Sequence, residues 1–423
     1  MNSIREEVAS LSLHYDVIIS GAGPSGAYSA IQCARKGLRT LLLEKEKMPR
    51  DKCCGGGILE RALKYLDVRI PDSIIEKEIY GVRLFGDSSH NEIRSKSRIA
   101  LTVVRRRFDA FLAETAEKEG ADFIEEEVTD VTEYPDHIEV STNNSMYEGK
   151  CLILAEGAHS RSANKLLGPY KRNIFASGMS KYIWLSADPG NMMEFYFFTL
   201  KRERSFLEFK PPAYGYGWLF PCSGSANIGA GGVGLNKKVI QNIIKKIETK
   251  CANEDCNVTN SDTFLAGSIP LSVRKKIHTK RAIAVGDAAG LTNPITGEGM
   301  TYSFISALRG GEAVWNFITH EEDWRHLRDY AKAIENDILR DIKAASIIEP
   351  LLRRVLGTLA LDSFLDNFCN IEILSADCAK IARGAGTWKE LLLHIIPMIP
   401  SLYFSSIQRG LKSQFYIKCQ RTN

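Results

Sequence analysis

The sequence predicts an α/β fold: a Rossmann-type dinucleotide-binding domain interrupted by an antiparallel-sheet domain, with a helical region at the C-terminal end. Three observations carry this. A strand, a glycine-rich turn, a helix and a second strand follow one another within the first 44 residues. A second short apolar strand, Ala282 to Val285, runs into a glycine-rich loop and a long helical stretch far downstream, so the nucleotide-binding part is discontinuous. Between them, residues 175–272 alternate in polarity and are rich in aromatics, Gly and Pro, as antiparallel strands are. The expected division is 1–78, 105–174 and 273–323 for the nucleotide-binding domain, 79–104 and 175–272 for the antiparallel domain, and 324–423 for the helical region.

Each element has its own signal. Tyr15 to Ser20 is apolar and β-branched, as a buried parallel strand requires. Ser25 to Lys36 fits a helix, and Leu38 to Glu44 a strand that ends in an acid. Ile79 to Val104 is strand-rich and broken by turns. Phe108, Phe111, Leu112 and Ala116 recur at helical spacing within Arg107 to Gly120. Strands fit Asp122 to Val131, His137 to Thr142 and Cys151 to Ala155, and a helix fits Lys237 to Lys250. Another helix begins after Gly297, and beyond Trp324 the pattern is helical throughout.

Composition narrows the class. The chain has 423 residues, 44% hydrophobic and 25% charged, the ordinary balance of a globular protein. Lys and Arg number 55 against 51 Asp and Glu, a net charge of +4, which argues against nucleic acid as a partner. No apolar run approaches the roughly 20 residues that span a bilayer. The first sixteen residues lack the apolar core of a secretory signal, and ten unevenly spaced cysteines suit free thiols in a reducing cytoplasm. No set of residues has metal-ligand spacing: Cys251 and Cys256 form a single C-x4-C without a second pair. His159 and His278 have no partner pattern.

The turn Gly21-Ala22-Gly23-Pro24-Ser25-Gly26 has the chemistry of a pyrophosphate site. Gly21 allows the tight turn, Gly23 admits the anion to the backbone, and Gly26 lets helix and strand pack closely. The helix start at Ser25 then presents free N–H groups and a positive dipole end. Glu44, 18 residues after Gly26, is placed to accept from ribose hydroxyls. This pattern alone does not choose between FAD and a nicotinamide nucleotide.

A second site makes the choice. Ala282-Ile283-Ala284-Val285-Gly286-Asp287-Ala288-Ala289-Gly290 is followed by Asn293-Pro294 and Gly297-Glu298-Gly299-Met300. It resembles the second FAD fingerprint of flavoproteins related to para-hydroxybenzoate hydroxylase. The resemblance implies that Asp287 holds a ribityl or ribose hydroxyl, and that Gly299 and Met300 lie against the ribityl chain and the flavin's polar edge. Arg105, in Arg105-x-x-Phe108-Asp109-x-x-Leu112, resembles the family's arginine that reaches FAD. Val128 occupies the family's adenine contact. Where the family has Asp-Gly after an apolar strand, this chain has Glu156-Gly157.

The motif Cys53-Cys54-Gly55-Gly56-Gly57 resembles the C-G-G-G loop of the geranylgeranyl reductase family. Three consecutive glycines suit a loop that passes close to a flat ligand, not a regular element. The resemblance implies that Cys54, Gly55 and Gly57 lie by the isoalloxazine, with Cys54 facing the reaction site. Tyr216-Gly217-Trp218-Leu219-Phe220-Pro221, followed seven residues later by Gly229-Ala230-Gly231, matches the same family's Y-x-W-x-F-P and G-x-G pattern. Tyr216, Trp218 and Phe220 alternate, so on a strand they share one face. That face suits a polyisoprenoid chain, and an ordinary aromatic core face is the alternative reading.

The resemblance covers Tyr15 to about Trp315. It implies an α/β fold with a Rossmann-type FAD-binding domain, an antiparallel-sheet substrate domain and a C-terminal helical region. It implies FAD-dependent saturation of isolated C=C bonds in prenyl lipids, fed by NADPH or ferredoxin as external electron donor. Cys54 and Tyr216 are the two candidate catalytic groups, and the sequence leaves open which delivers the proton. Two rival readings stay open: a flavin monooxygenase or halogenase on the same fold, and a non-catalytic flavin- and lipid-binding protein. The W-x-W-x-I-P stretch expected of halogenases is absent. In the tail, Leu391 to Phe404 is apolar and is followed by the basic Arg409, Lys412, Lys418 and Arg421. That pattern suits either a peripheral contact with the inner face of the cell membrane or a packed core helix with a solvated basic face.

Overall fold

The computed structural model describes residues 14–86, 90–197, 214–253, 259–260, 263–358 and 372–397. The chain opens with β1 (His14–Ser20), α1 (Pro24–Arg35) and β2 (Thr40–Leu43). After the triple-glycine loop come β3 (Gly57–Leu59), α2 (Glu60–Leu63), β4 (Ile75–Ile79), β5 (Gly81–Phe85), β6 (His90–Arg94) and β7 (Ala100–Val103). Next are α3 (Arg105–Lys118), β8 (Asp122–Ile124), β9 (Val128–Glu133), β10 (Ile138–Thr142), β11 (Met146–Leu154) and α4 (Arg161–Leu167). The strands β12 (Phe175–Trp184), β13 (Met192–Phe197), β14 (Tyr214–Cys222) and β15 (Ser225–Val233) lead to α5 (Lys237–Asn253), β16 (Thr259–Asn260) and β17 (Leu265–Pro270). The chain returns through β18 (Ala282–Ala284), α6 (Gly286–Ala289) and α7 (Met300–Thr319). The C-terminal region holds α8 (Arg325–Ile334), α9 (Arg340–Thr358), α10 (Glu372–Arg383) and α11 over 388–397.

The first sheet runs β8-β2-β1-β11-β10-β9, and β18 also pairs with β11. β1 lies parallel between β2 and β11, with Ile19 opposite Leu42 and Ile153. Val17, Ile18 and Ile19 are fully buried, because α1 covers one face and both neighbours are apolar. β11 is longer than its apolar end suggested: its first half pairs antiparallel with β10, its second half parallel with β18. This arrangement places the ends of β1 and β18, and the turns that follow them, side by side.

The second sheet has eight strands in the order β16-β12-β15-β14-β13-β5-β6, with β17 also on β12. α5 covers one face through Ile240, Ile243, Ile244 and Ile247, packed on Met179, Leu219 and Ile228. The opposite face carries Tyr216, Trp218 and Phe220. Residues 79–104, expected to join this sheet as a whole, divide. β5 and β6 do join it, whereas β7 pairs with β3 and β4 in a separate three-stranded sheet. The apolar β7, buried at all four positions, takes partners from both sides and cannot serve as a sheet edge.

Arg274 is 1% exposed and has no carboxylate paired with it among the described residues. Its guanidinium stacks on Tyr170 at 4.1 Å and donates to Asn164 Oδ1 and Gly168 O at 2.7 and 2.6 Å. It thereby joins the end of α4 to the turn around α6, and burial lowers its pKa.

Candidate active site

The dinucleotide turn is built as its sequence requires. Gly21 has φ +100°, and a Cβ there would lie 2.6 Å from Ala155 O. A Cβ on Gly26 would lie 1.8 Å from Gly21 O. Gly26 is therefore a packing residue and does not reach the cavity. In front of Gly23 the space is open: an added Cβ would meet only the Arg50 guanidinium, at 3.7 Å. Pro24 starts α1, where its missing N–H costs nothing. Glu44 Oε2 accepts the Ala22 N–H at 2.9 Å, which fixes its carboxylate beside the turn. Open backbone donors, a guanidinium beside the turn and a carboxylate at the end of β2 fit the pyrophosphate and ribose of FAD.

Arg50 was not singled out in the sequence. It bridges Glu44 at 3.4 Å and Asp109 at 3.2 Å, with its side chain 11% exposed. Asp109 in turn holds Arg105 through two bonds of 2.7 and 2.8 Å. Arg105 lines the cavity, but its guanidinium is committed to Asp109, with Cys54 close by. Burial opposes its charge, and Asp109 and Cys54 outweigh that and raise its pKa. An unbroken acid–base chain, Glu44–Arg50–Asp109–Arg105, thus runs from the nucleotide turn to Cys54.

Cys54 and the aromatic face of β14 border the same cavity, of about 1560 Å³. Every residue expected from the sequence to be catalytic or to bind cofactor or substrate lines it except Gly26; these include Ser25, Val128, Asp287, Gly299 and Met300. The triple-glycine loop lies directly on the aromatic face. A Cβ on Gly55 would be 2.6 Å from the Phe220 ring and 3.3 Å from Trp218 Nε1, and one on Gly57 would be 3.1 Å from Phe220. Gly56 has φ +80° and Val103 O at 2.1 Å from its would-be Cβ. All three glycines are required by protein contacts. The Cys54 sulfur accepts the Gly56 N–H at 3.4 Å. Cys53 turns away, toward Ser180 at 3.6 Å, and burial raises its pKa.

Tyr216 hydrogen-bonds to Thr296 O, which links the aromatic face to the loop before α7. Burial, then the nearby Cys54 and Glu298, hold its phenol well above the ordinary value. Asn293 Oδ1 shapes that loop by accepting from Ile295 N and Thr296 N at 2.9 and 3.1 Å. Glu298 Oε1 accepts the Thr301 N–H at 2.7 Å and caps α7. Burial raises the Glu298 pKa, and Arg61 partly offsets this. Asp287 is raised by burial too, against Lys52 and Arg105. Glu156, the departure from Asp-Gly, acts locally at the start of α4, where its Oε2 accepts from Ser160 Oγ at 2.8 Å and Ser162 N at 3.3 Å.

From Phe220 the cavity continues as an apolar arm. Val82, Met193 and Phe195, which pack with Phe220, line it together with Leu84, as do Ile348, Ile381, Trp388, Leu391 and Ile395, which cluster with one another in the C-terminal helices. The helical region is therefore part of the site, which its sequence did not reveal. Leu391 and Ile395 are buried, while Leu393 and Ile396 are exposed. The rest of the apolar stretch to Phe404, and the basic residues after it, lie outside the described residues. Among the described residues, no helix is long and apolar enough to cross a membrane.

Residues 14–330 match the FAD binding domain family, and the chain belongs to it. It is an FAD-dependent oxidoreductase, similar to the digeranylgeranylglycerophospholipid reductases. That of Methanocaldococcus jannaschii is 27% identical over 363 residues, 82% of this chain and 90% of the relative. That of Picrophilus torridus is 27% identical over 401 residues, 88% and 96%. Among solved structures, a geranylgeranyl bacteriochlorophyll reductase-like protein of Thermoplasma acidophilum has a TM-score of 0.73 at 24% identity, covering 90% of this chain and 98% of that one. A flavin-dependent brominase has a TM-score of 0.68 at 17% identity, covering 95% and 100%, so the fold is shared with halogenating enzymes.

Proposed function

We propose that the protein saturates isolated C=C bonds in the geranylgeranyl chains of isoprenoid lipids, with NADPH or ferredoxin as electron donor. The supporting observation is the continuous cavity that joins the nucleotide turn, Cys54, the Tyr216–Trp218–Phe220 face and an apolar arm. Reduced FAD, when bound, supplies a hydride to one alkene carbon; the chain's own residues must hold the alkene, exclude water and give a proton to the other carbon. An isolated alkene has no carbonyl to accept charge, so hydride and proton must arrive together. The apolar walls remove water, and Trp218 with Phe195 grips the branched chain by contact alone.

Of the two candidate proton donors, we take Tyr216 as the first to test. Its hydroxyl keeps its proton through burial, lies at the cavity wall and donates to Thr296 O, a bond it exchanges for the substrate carbon when it acts. Cys54 borders the cavity as well, its sulfur accepting the Gly56 N–H at 3.4 Å, so Tyr216→Phe set against Cys54→Ala separates the two. Asp287, Glu44 and Arg50 are assigned to holding FAD.

The brominase-like fold supports a second reading, in which reduced flavin meets oxygen. Substrate-dependent oxygen uptake, measured beside mass analysis of the extracted lipid, separates the two. The proposal expects lipid that has gained one H2 per reduced bond, with no oxygen consumption coupled to it. Stoichiometric oxygen uptake with a hydroxylated or halogenated product would overturn it.

A further inference from the structure

Asp341 lies in the first turn of α9, outside every motif discussed above, with its side chain only 11% exposed. Its two oxygens serve different parts of the molecule. Oδ2 takes Arg61 Nη2 from α2 at 3.1 Å and the Tyr302 hydroxyl from α7 at 3.1 Å. Oδ1 takes the Trp388 N–H at 2.8 Å, at the start of α11. α2 directly follows β3 and the triple-glycine loop, and α7 directly follows the Glu298 loop, so Oδ2 grips the cofactor side. Oδ1 caps the helix that forms the arm's far wall.

The same face of α9 carries Ile348, seven residues and about two turns further on, which lines the arm. On α11, Trp388, Leu391 and Ile395 recur at helical spacing and line it as well. A second contact runs in parallel: Lys64 Nζ donates to Gly384 O at 3.2 Å, and a Cβ on Gly384 would meet Arg61 at 3.0 Å. Thus the turn between α10 and α11 rests on α2, while Asp341 joins α2, α7 and α11 through one carboxylate.

We propose that Asp341 is a positioning residue that sets chain-length selectivity: it clamps the α9–α11 wall to the cofactor platform and so fixes the depth of the hydrocarbon arm. The inference rests on the prenyl-reductase reading and adds to it the element that measures the chain. A long chain gains contact along the whole wall only if that wall stays in register with the slot beside Trp218. A short chain, held near Trp218 alone, is indifferent to the wall. Losing the clamp therefore weakens long chains and leaves short ones almost untouched.

The test uses the FAD-loaded protein and needs no turnover. Binding of geraniol and of geranylgeraniol is followed by quenching of tryptophan fluorescence in wild type, Asp341→Ala and Asp341→Asn. Asn keeps an acceptor for the Trp388 N–H but loses the charge that pairs with Arg61, so it reports should the alanine variant fail to fold. Wild type is expected to prefer the longer alcohol. The ratio should fall about tenfold in Asp341→Ala and by less in Asp341→Asn, almost entirely through the longer alcohol, with FAD content unchanged. An unchanged ratio in folded, FAD-loaded variants would reduce Asp341 to a structural tether and overturn the inference while leaving the proposed reaction standing. A wild type that binds neither alcohol would overturn both.

Discussion

Trp218 sits on Gly229: a Cβ at position 229 would lie 2.2 Å from the indole ring, and the indole N–H donates to Asn227 Oδ1 at 2.9 Å. The first glycine of the downstream G-x-G is thus the seat of the aromatic residue eleven positions before it, on the neighbouring strand.

Gly229→Ala should push the indole off its seat. Overpacking of this kind costs about 1–3 kcal/mol. The expected result is a lower melting temperature and a KM for prenyl lipid raised about tenfold, with FAD content close to wild type. Normal kinetics with an alanine at 229 would contradict the assignment of Trp218 to substrate.

Arg50→Ala should damage cofactor retention and stability together. It leaves Glu44 and Asp109, with side chains 6% and 0% exposed, without this partner. Breaking a buried pair from one side costs about 3–5 kcal/mol. FAD dissociation, followed by flavin fluorescence, should be at least about tenfold faster, and Arg50→Lys should recover part of the loss.

Tyr216→Phe should slow reoxidation of the reduced enzyme by lipid by about 10²–10⁴, the range of general acid catalysis. Cys54→Ala should slow it less than about tenfold. Because the Tyr216 pKa is raised, its proton stays on through neutral pH and beyond the ordinary phenol value of about 10. The rate profile should therefore show no loss on its account up to the highest pH the fold tolerates, and a phenol-like fall below 10 would contradict the role.

Glu298→Gln should stabilise the apoprotein at neutral pH. The folded-state pKa of Glu298 is raised by burial, so its contribution to stability is full below the unfolded value, about 4.3, and declines as pH rises through the folded value. Gln keeps an acceptor for the Thr301 N–H without carrying the charge. Melting curves should show the variant above wild type at pH 7 and the gap closing toward pH 4. A constant gap would contradict burial as the cause.

Most of the cofactor side was legible because its contacts are backbone contacts. Gly21, Gly23 and Gly26 are needed at fixed offsets whatever surrounds them, and Glu44 follows from the length of one helix and one strand. The Tyr216–Trp218–Phe220 face was legible because strand periodicity puts alternate residues together. Arg50 was not, because its value lies in two carboxylates, one of them 59 positions away. Nor was the arm's far wall: Ile348 lies in no motif, Leu391 and Ile395 fall in a stretch that suited either a membrane contact or a core helix, and only the folding of the C-terminal helices against α2 brings them to the cavity. The glycines at 55 to 57 were legible as a close approach, but the approaching group is Phe220 and the Val103 carbonyl.

The most direct measurement mixes reduced, FAD-loaded protein anaerobically with a geranylgeranyl lipid and follows the flavin absorbance. The account predicts that oxidised flavin returns in step with saturated lipid, with no oxygen present. A flavin that stays reduced until oxygen is admitted, beside lipid whose double bonds are all retained, would contradict it.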